Sequence, residues 1–223
     1  MDAKSIAISV EWDWVEKEVS VGERISDNIR PFLDECIRKA RGLIIPMHTY
    51  LEKKITRLDA DGMEIEGSIK FSTAKIPSYI KGATSLILFI VTIGDGIEKE
   101  ASALTSGVDP LRGYLLDRIG SFAVESLAEN LEKSLRAYYA AQKKSVSARF
   151  SPGYCDWALE EQFKISKSLD FSKAGVHLTE GCMMVPKKSI SATVAVANEG
   201  IFTASGSTCR TCDFKDCGYR RAD

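Results

Sequence analysis

Residues 6–12, IAISVEW, alternate apolar and polar positions, the period of a half-buried strand. The period changes after Ser26. Ile29, Leu33, Cys36, Ile37 and Ala40 recur at spacings of three or four and predict a helix. Pro31 falls in its first turn, where a missing N–H is harmless, and Gly42 supplies a stop. KITRL at 54–58 and MEIEGSIKF at 63–71 read as strands, and DADG at 59–62 carries the turn residues between them.

The run SLILFIVTIG at 85–94 is apolar at nearly every position, which predicts a strand buried on both faces in the middle of a sheet. A helix is expected over 97–105. Asp109 and Pro110 then form an N-cap followed by proline at the first helical position. The helix they open runs to about residue 141, with Leu111, Leu115, Ile119, Phe122, Leu127, Leu131 and Leu135 as its apolar face. Residues 143–154 read as a strand entering a turn. A short helix over 156–169 has Asp156 as its candidate N-cap, and 182–204 reads as loop, strand, turn at 198–200 and a last strand. Strands and helices mix without βαβ alternation, so the predicted class is α+β: a central, mostly antiparallel twisted sheet with long helices packed on it. With no flexible linker marking a boundary, residues 1–204 are expected to form one domain and 205–223 a cysteine-rich tail.

Composition narrows the function. Thirty basic against 31 acidic residues leave a net charge of −1, without the basic excess of a nucleic-acid binder or a polybasic membrane patch. The N-terminus lacks the basic start and apolar core of a signal peptide, and no apolar run reaches the ~20 residues of a membrane span. A cytoplasmic protein is expected, in which the six cysteines serve as buried thiols, metal ligands or redox groups rather than disulfides. Two histidines offer little acid–base chemistry, and there is no G-x-S-x-G elbow, Walker loop or H-E-x-x-H to support a hydrolase or kinase.

Four patterns carry candidate chemistry. In RFSPGYCDW, at 149–157, Arg149 offers a planar fork of donors suited to a carboxylate, Gly153 lets the backbone approach a ligand, and Tyr154 adds a stacking face and a hydroxyl. The same residues also suit a strand end whose aromatics cover the core. Lys187, Lys188, Ser189 and Ser191 after Pro186 suit a phosphate edge or a solvated strand entrance. Asp117, Ser121 and Glu125 share a helix face, either beside a ligand or in water. Cys209, Cys212 and Cys217, spaced C-x2-C-x4-C, form a compact clip for zinc or an iron–sulfur cluster, with Cys155, Cys182, a second chain or an outside ligand as the fourth donor; without metal the tail is a reducing one.

The segments VTIGDGIEKE, LLDRIGSFAVESLAENLEKSLR, RFSPGYCDWALEEQF and VHLTEGCMMVPKKSISATVAV, in this order, resemble the activation (reactivation) domain of cobalamin-dependent methionine synthase over more than half the chain. The tail departs from that pattern and is similar to tails of free-standing, single-domain versions. The resemblance implies binding of S-adenosylmethionine (SAM) and reductive methylation of cob(II)alamin to methylcobalamin. The cobalamin would be held by a partner methionine synthase core or other corrinoid protein, and the electron would come from a donor such as flavodoxin or ferredoxin. By position it implies that Arg149 pairs with the SAM carboxylate, Ser151 and Gly153 offer backbone contacts, Tyr154 lines the pocket, Glu125 faces the ligand's cationic part and Phe202 stands near the ligand. A docking module that holds a corrinoid protein without SAM chemistry, and a zinc-clipped adaptor, are the competing readings.

Overall fold

Eight consecutive buried residues, 85–92, form the centre of a sheet, as their unbroken apolar run requires. The computed structural model describes residues 6–22, 26–107 and 109–202. In chain order its elements are α1 (Trp12–Gly22), α2 (Arg30–Leu43), β1 (Met47–Asp59), β2 (Gly62–Ile65), β3 (Ile69–Ser72), α3 (Ile76–Tyr79), β4 (Ala83–Thr92), α4 (Gly96–Ser106), α5 (Pro110–Ala140), β5 (Lys144–Val146), α6 (Gln162–Ser168), β6 (His177–Leu178), β7 (Met184–Val185) and β8 (Ser189–Asn198). Short 3-10 turns occupy Leu159–Glu161 and Phe171–Ala174. The class is mixed α+β. Six strands form one sheet in the order β3-β2-β1-β4-β8-β5, and β6 pairs with β7 in a separate ribbon. The pairings β1–β2, β2–β3 and β5–β8 are antiparallel.

The described residues group into two compact units. The first takes in the described residues up to Thr49, those of Ile90–Leu131, and Phe171–Ile190. Here α1 buries Val15 and Val19, α2 buries Leu33, Cys36, Ile37 and Ala40, and α5 buries Leu115 and Ile119. Trp14 meets Phe122 edge to face, and Ser126 Oγ accepts the Glu11 N–H at 2.8 Å. The expected cap of α5 is present: Asp109 Oδ1 accepts the Arg112 N–H at 3.1 Å, the bond that an N-cap side chain offers three residues on. Arg112 also pairs with Asp109 and Glu35 and lies over Phe32. Leu111, expected on the apolar face, is exposed.

The second unit comprises Tyr50–Phe89, Glu132–Asp170 and residues 191–202, and holds most of the six-stranded sheet. MEIEGSIKF breaks into β2 and β3 because Gly67 and Ser68 take positive φ, at 92° and 59°, and turn the chain within it. Residues 6–11 correct another expectation. Their burial alternates as the sequence suggests, but they join no strand, and the chain is helical from Trp12. Among the described residues no helix is long and apolar enough to cross a membrane.

Candidate functional site

The segment with Arg149 starts as a regular ladder. Lys144, Ser145 and Val146 of β5 pair with Asn198, Ala197 and Val196 of β8. Ser147 continues it: its N–H donates to Ala195 O at 2.9 Å, and its Oγ accepts the Ala195 N–H at 2.8 Å. Phe150 then exchanges both backbone bonds with Thr193, at 2.9 and 2.7 Å. Three steps along one strand (147 to 150) thus oppose two along the other (195 to 193). The extra residue makes a β-bulge, the device that bends a strand and re-aims a side chain. Arg149 lies in it.

Arg149 is 8% exposed. Glu132 Oε2 on α5 stands 3.8 Å from its Nε, an ion-pair distance too long for a hydrogen bond. The same carboxylate lies 3.5 Å from Arg136 Nη2, and Arg136 donates to the carbonyls of Val146 and Ser147. Glu132 thereby places a negative charge between two guanidiniums, one holding the strand to the helix and the other in the bulge.

Residues 151–154 form a β-turn closed by the Tyr154 N–H on Ser151 O at 3.0 Å. Pro152 occupies its second position and Gly153, with φ 93°, its third, the signature of a type II turn. The chain folds back at once: the Gly153 N–H donates to Trp157 O at 2.7 Å and the Trp157 N–H to Tyr154 O at 2.9 Å, with Cys155 at φ 52°. Tyr154 is exposed, whereas Ser151 and Trp157 are buried. Ser151 Oγ and Trp157 Nε1 have no hydrogen-bond partner among the described residues.

A second segment, 71–79, supports this turn within the same unit. Phe71 meets Trp157 edge to face at 5.5 Å, and Tyr79 stacks on Phe150 at 6.1 Å. Asp156 is not the cap of the helix that follows it; that stretch begins with a 3-10 turn at Leu159. Its carboxylate instead accepts from Thr73 Oγ1 at 2.7 Å, the Ala74 N–H at 2.6 Å and the Lys75 N–H at 3.3 Å. Burial pushes the Asp156 carboxyl up, but these hydrogen bonds outweigh it and hold it below the usual carboxylate range.

Arg149, Ser151, Gly153 and Tyr154 therefore share one turn. Phe202 lies in the same unit at the start of β5, its N–H donating to Ser145 Oγ at 3.1 Å. Glu125 is half-buried on α5 in the first unit. Its stripe-mates Asp117 and Ser121 hold a lysine there: Lys188 Nζ is 2.7 Å from Asp117 Oδ1 and 2.8 Å from Ser121 Oγ. That occupies Lys188 internally rather than at a phosphate. Cys209, Cys212 and Cys217 lie outside the described residues, and among those described no group of histidine, cysteine and carboxylate side chains is placed to hold a metal. Burial pushes the Cys36 thiol up to about 11, which removes it as a nucleophile at neutral pH. A separate concavity of about 180 Å³ at the β1–β2–β3 edge includes no residue of the turn, and its cations Arg57 and Lys70 are paired with Asp59 and Glu64.

The sequence missed Glu132, Asp156 in its actual role, Thr73 and Trp157. Only Glu132 left a local trace, its i,i+4 spacing to Arg136.

A family model for the activation domain of vitamin B12 dependent methionine synthase matches residues 76–208, more than half of the 223-residue chain. Among solved structures the chain is similar to the crystal structure of the MetH reactivation domain bound to AdoHcy, with a TM-score of 0.60 and 18% identity, covering 83% of this chain and 69% of that one. At that identity the likeness concerns the fold. None of the curated proteins matches the sequence.

Proposed function

We infer the activity of this chain from the family it belongs to, the activation domains of vitamin B12 dependent methionine synthase. It is a SAM-binding reactivation protein for a cobalamin-dependent methionine synthase or a related corrinoid methyltransferase. The observation that carries this reading is the bulge and type II turn at 149–154, which lie inside the family match and set a buried guanidinium beside a close-approach glycine and an exposed tyrosine.

These residues fit the ligand. Arg149 pairs with the amino-acid carboxylate, because a guanidinium keeps its charge when buried and offers parallel donors. Gly153 admits the ligand against the turn, and Tyr154 provides a flat face at its mouth. Glu132 keeps Arg149 compensated before the ligand arrives.

SAM, when bound, supplies an electrophilic methyl group on a sulfonium. The overall conversion is reductive methylation of a partner's cob(II)alamin to methylcobalamin. One electron enters from an outside donor of the flavodoxin or ferredoxin class. The methyl group leaves without its bonding pair, which stays on sulfur. The chain's own share is binding and alignment, catalysis by positioning rather than by proton transfer. The C-terminal cysteines, if they hold an iron–sulfur cluster, supply a local entry for the electron; if they hold zinc, they are structural.

Isothermal titration of the full chain with SAM tests the reading. Saturable binding is expected, and Arg149→Ala should weaken it by ten- to about a hundredfold, the range of one hydrogen-bonded charge pair. Absence of binding by the wild-type chain, or equal affinity in the variant, would overturn the site.

A further inference from the structure

We propose that the Ser151 hydroxyl is a specificity-determining contact of this site, donating a hydrogen bond to the carboxylate that Arg149 pairs with; the proposal rests on the SAM-binding reading above. Ser151 is 8% exposed, and its Oγ is fully buried without a partner among the described residues. A hydroxyl buried in this way destabilises the fold unless something accepts from it.

The neighbouring serines show how unusual this is. Ser145 Oγ donates to Asn198 O at 2.7 Å and accepts from the Phe202 N–H. Ser147 Oγ donates to Ala148 O at 2.8 Å and accepts from the Ala195 N–H. Ser191 Oγ donates to Gln162 Oε1 at 2.8 Å. Ser151, the first residue of the turn that follows this pairing, differs: its carbonyl is engaged by the Tyr154 N–H, but its hydroxyl has no partner among the described residues.

Its position says what would complete it. Ser151 is two residues beyond Arg149, so their Cα atoms lie within about 7 Å of each other. It opens the turn in which Gly153 admits a ligand. A carboxylate has acceptor sites for several donors at once, so it takes the guanidinium and the hydroxyl together. Trp157 Nε1 also lacks a hydrogen bond among the described residues, but it stands eight residues beyond Arg149, with its ring packed edge to face on Phe71.

The test compares wild type and Ser151→Ala by calorimetric titration with SAM and with decarboxylated SAM, alongside melting curves without ligand. Ser151→Ala should weaken SAM about tenfold, as one hydrogen bond to a charged group implies. Decarboxylated SAM should bind both proteins alike, and the ligand-free variant should melt at the same temperature or higher, because an unsatisfied polar atom has been removed. Equal SAM affinity in the two proteins, equal weakening of both ligands, or a lower melting temperature of the ligand-free variant would each overturn the proposal while leaving the SAM site standing. If the wild-type chain binds no SAM, both readings fall.

Discussion

Asp156→Asn tests how the turn is held. Asparagine keeps the shape and one acceptor oxygen but replaces the other with a donor. The carboxylate now takes Thr73 Oγ1 and the Ala74 N–H on different oxygens, at 2.7 and 2.6 Å. With the amide oxygen on the Ala74 N–H, the amide NH2 meets Thr73 Oγ1, whose hydroxyl must turn from donor to acceptor, and both bonds lose their charge; the reverse orientation sets the NH2 against the Ala74 N–H. A hydrogen bond to a charged group contributes about 1.5–3 kcal/mol, and the exposure of Asp156 reduces this. The expected loss is about 1–2 kcal/mol, or a drop in melting temperature of about 2–8 °C for a chain of this size. The pH dependence follows from the direction of the shift. The folded-state pKa of Asp156 lies below its ordinary value, so the stabilisation is fully present above the unfolded pKa of about 3.9 and is lost as pH falls through the folded value. Melting curves of wild type and variant from pH 7 to pH 3 should therefore converge at the acid end. A gap of constant size across that range, or no gap at pH 7, would refute the reasoning.

Gly153→Ala should destabilise the fold by about 1 kcal/mol through its φ of 93° rather than by crowding, since the added methyl would meet only Leu159 Cδ1, at 3.8 Å; urea denaturation measures it. Lys188→Met should lower stability by about 1–2 kcal/mol, because it leaves Ser121 and Asp117 without their cation while keeping the apolar stem, and raised salt should narrow the difference. Cys212→Ser should reduce bound metal, measured by elemental analysis and visible absorbance after anaerobic reconstitution with iron and sulfide or zinc, and leave SAM affinity unchanged; unaltered metal content would remove the tail as a metal site.

The legible features were those whose causes lie close together in the chain. Asp109 and Pro110 announce α5 because a cap acts within three residues, and Ser151-Pro152-Gly153 announces its turn because proline and glycine set the two central conformations. Asp156 was misread because its partners are more than eighty residues away, and the local pattern offered a nearer use for it. The stripe of Asp117 and Ser121 was visible, but its occupant, Lys188, comes from a strand entrance late in the chain. Residues 6–11 carry a true period of two, yet alternation records which side chains are covered, not whether a neighbouring backbone is there to pair with. The bulge at Arg149 left no local signal, since it depends on the register between β5 and β8.

The bulge also bears on how the protein avoids sticking to itself. Among the described residues β5 is the last strand of the sheet, and such a strand offers its unpaired amides and carbonyls to any passing chain. It is only three residues long, and a few residues on, the chain bends away through the bulge and closes into a turn whose backbone groups bond to one another. The irregularity that leads into the turn at 151–154 thus also shortens the edge on which a second molecule could begin to polymerise. Straightening this segment to lengthen the sheet would exchange solubility for regularity.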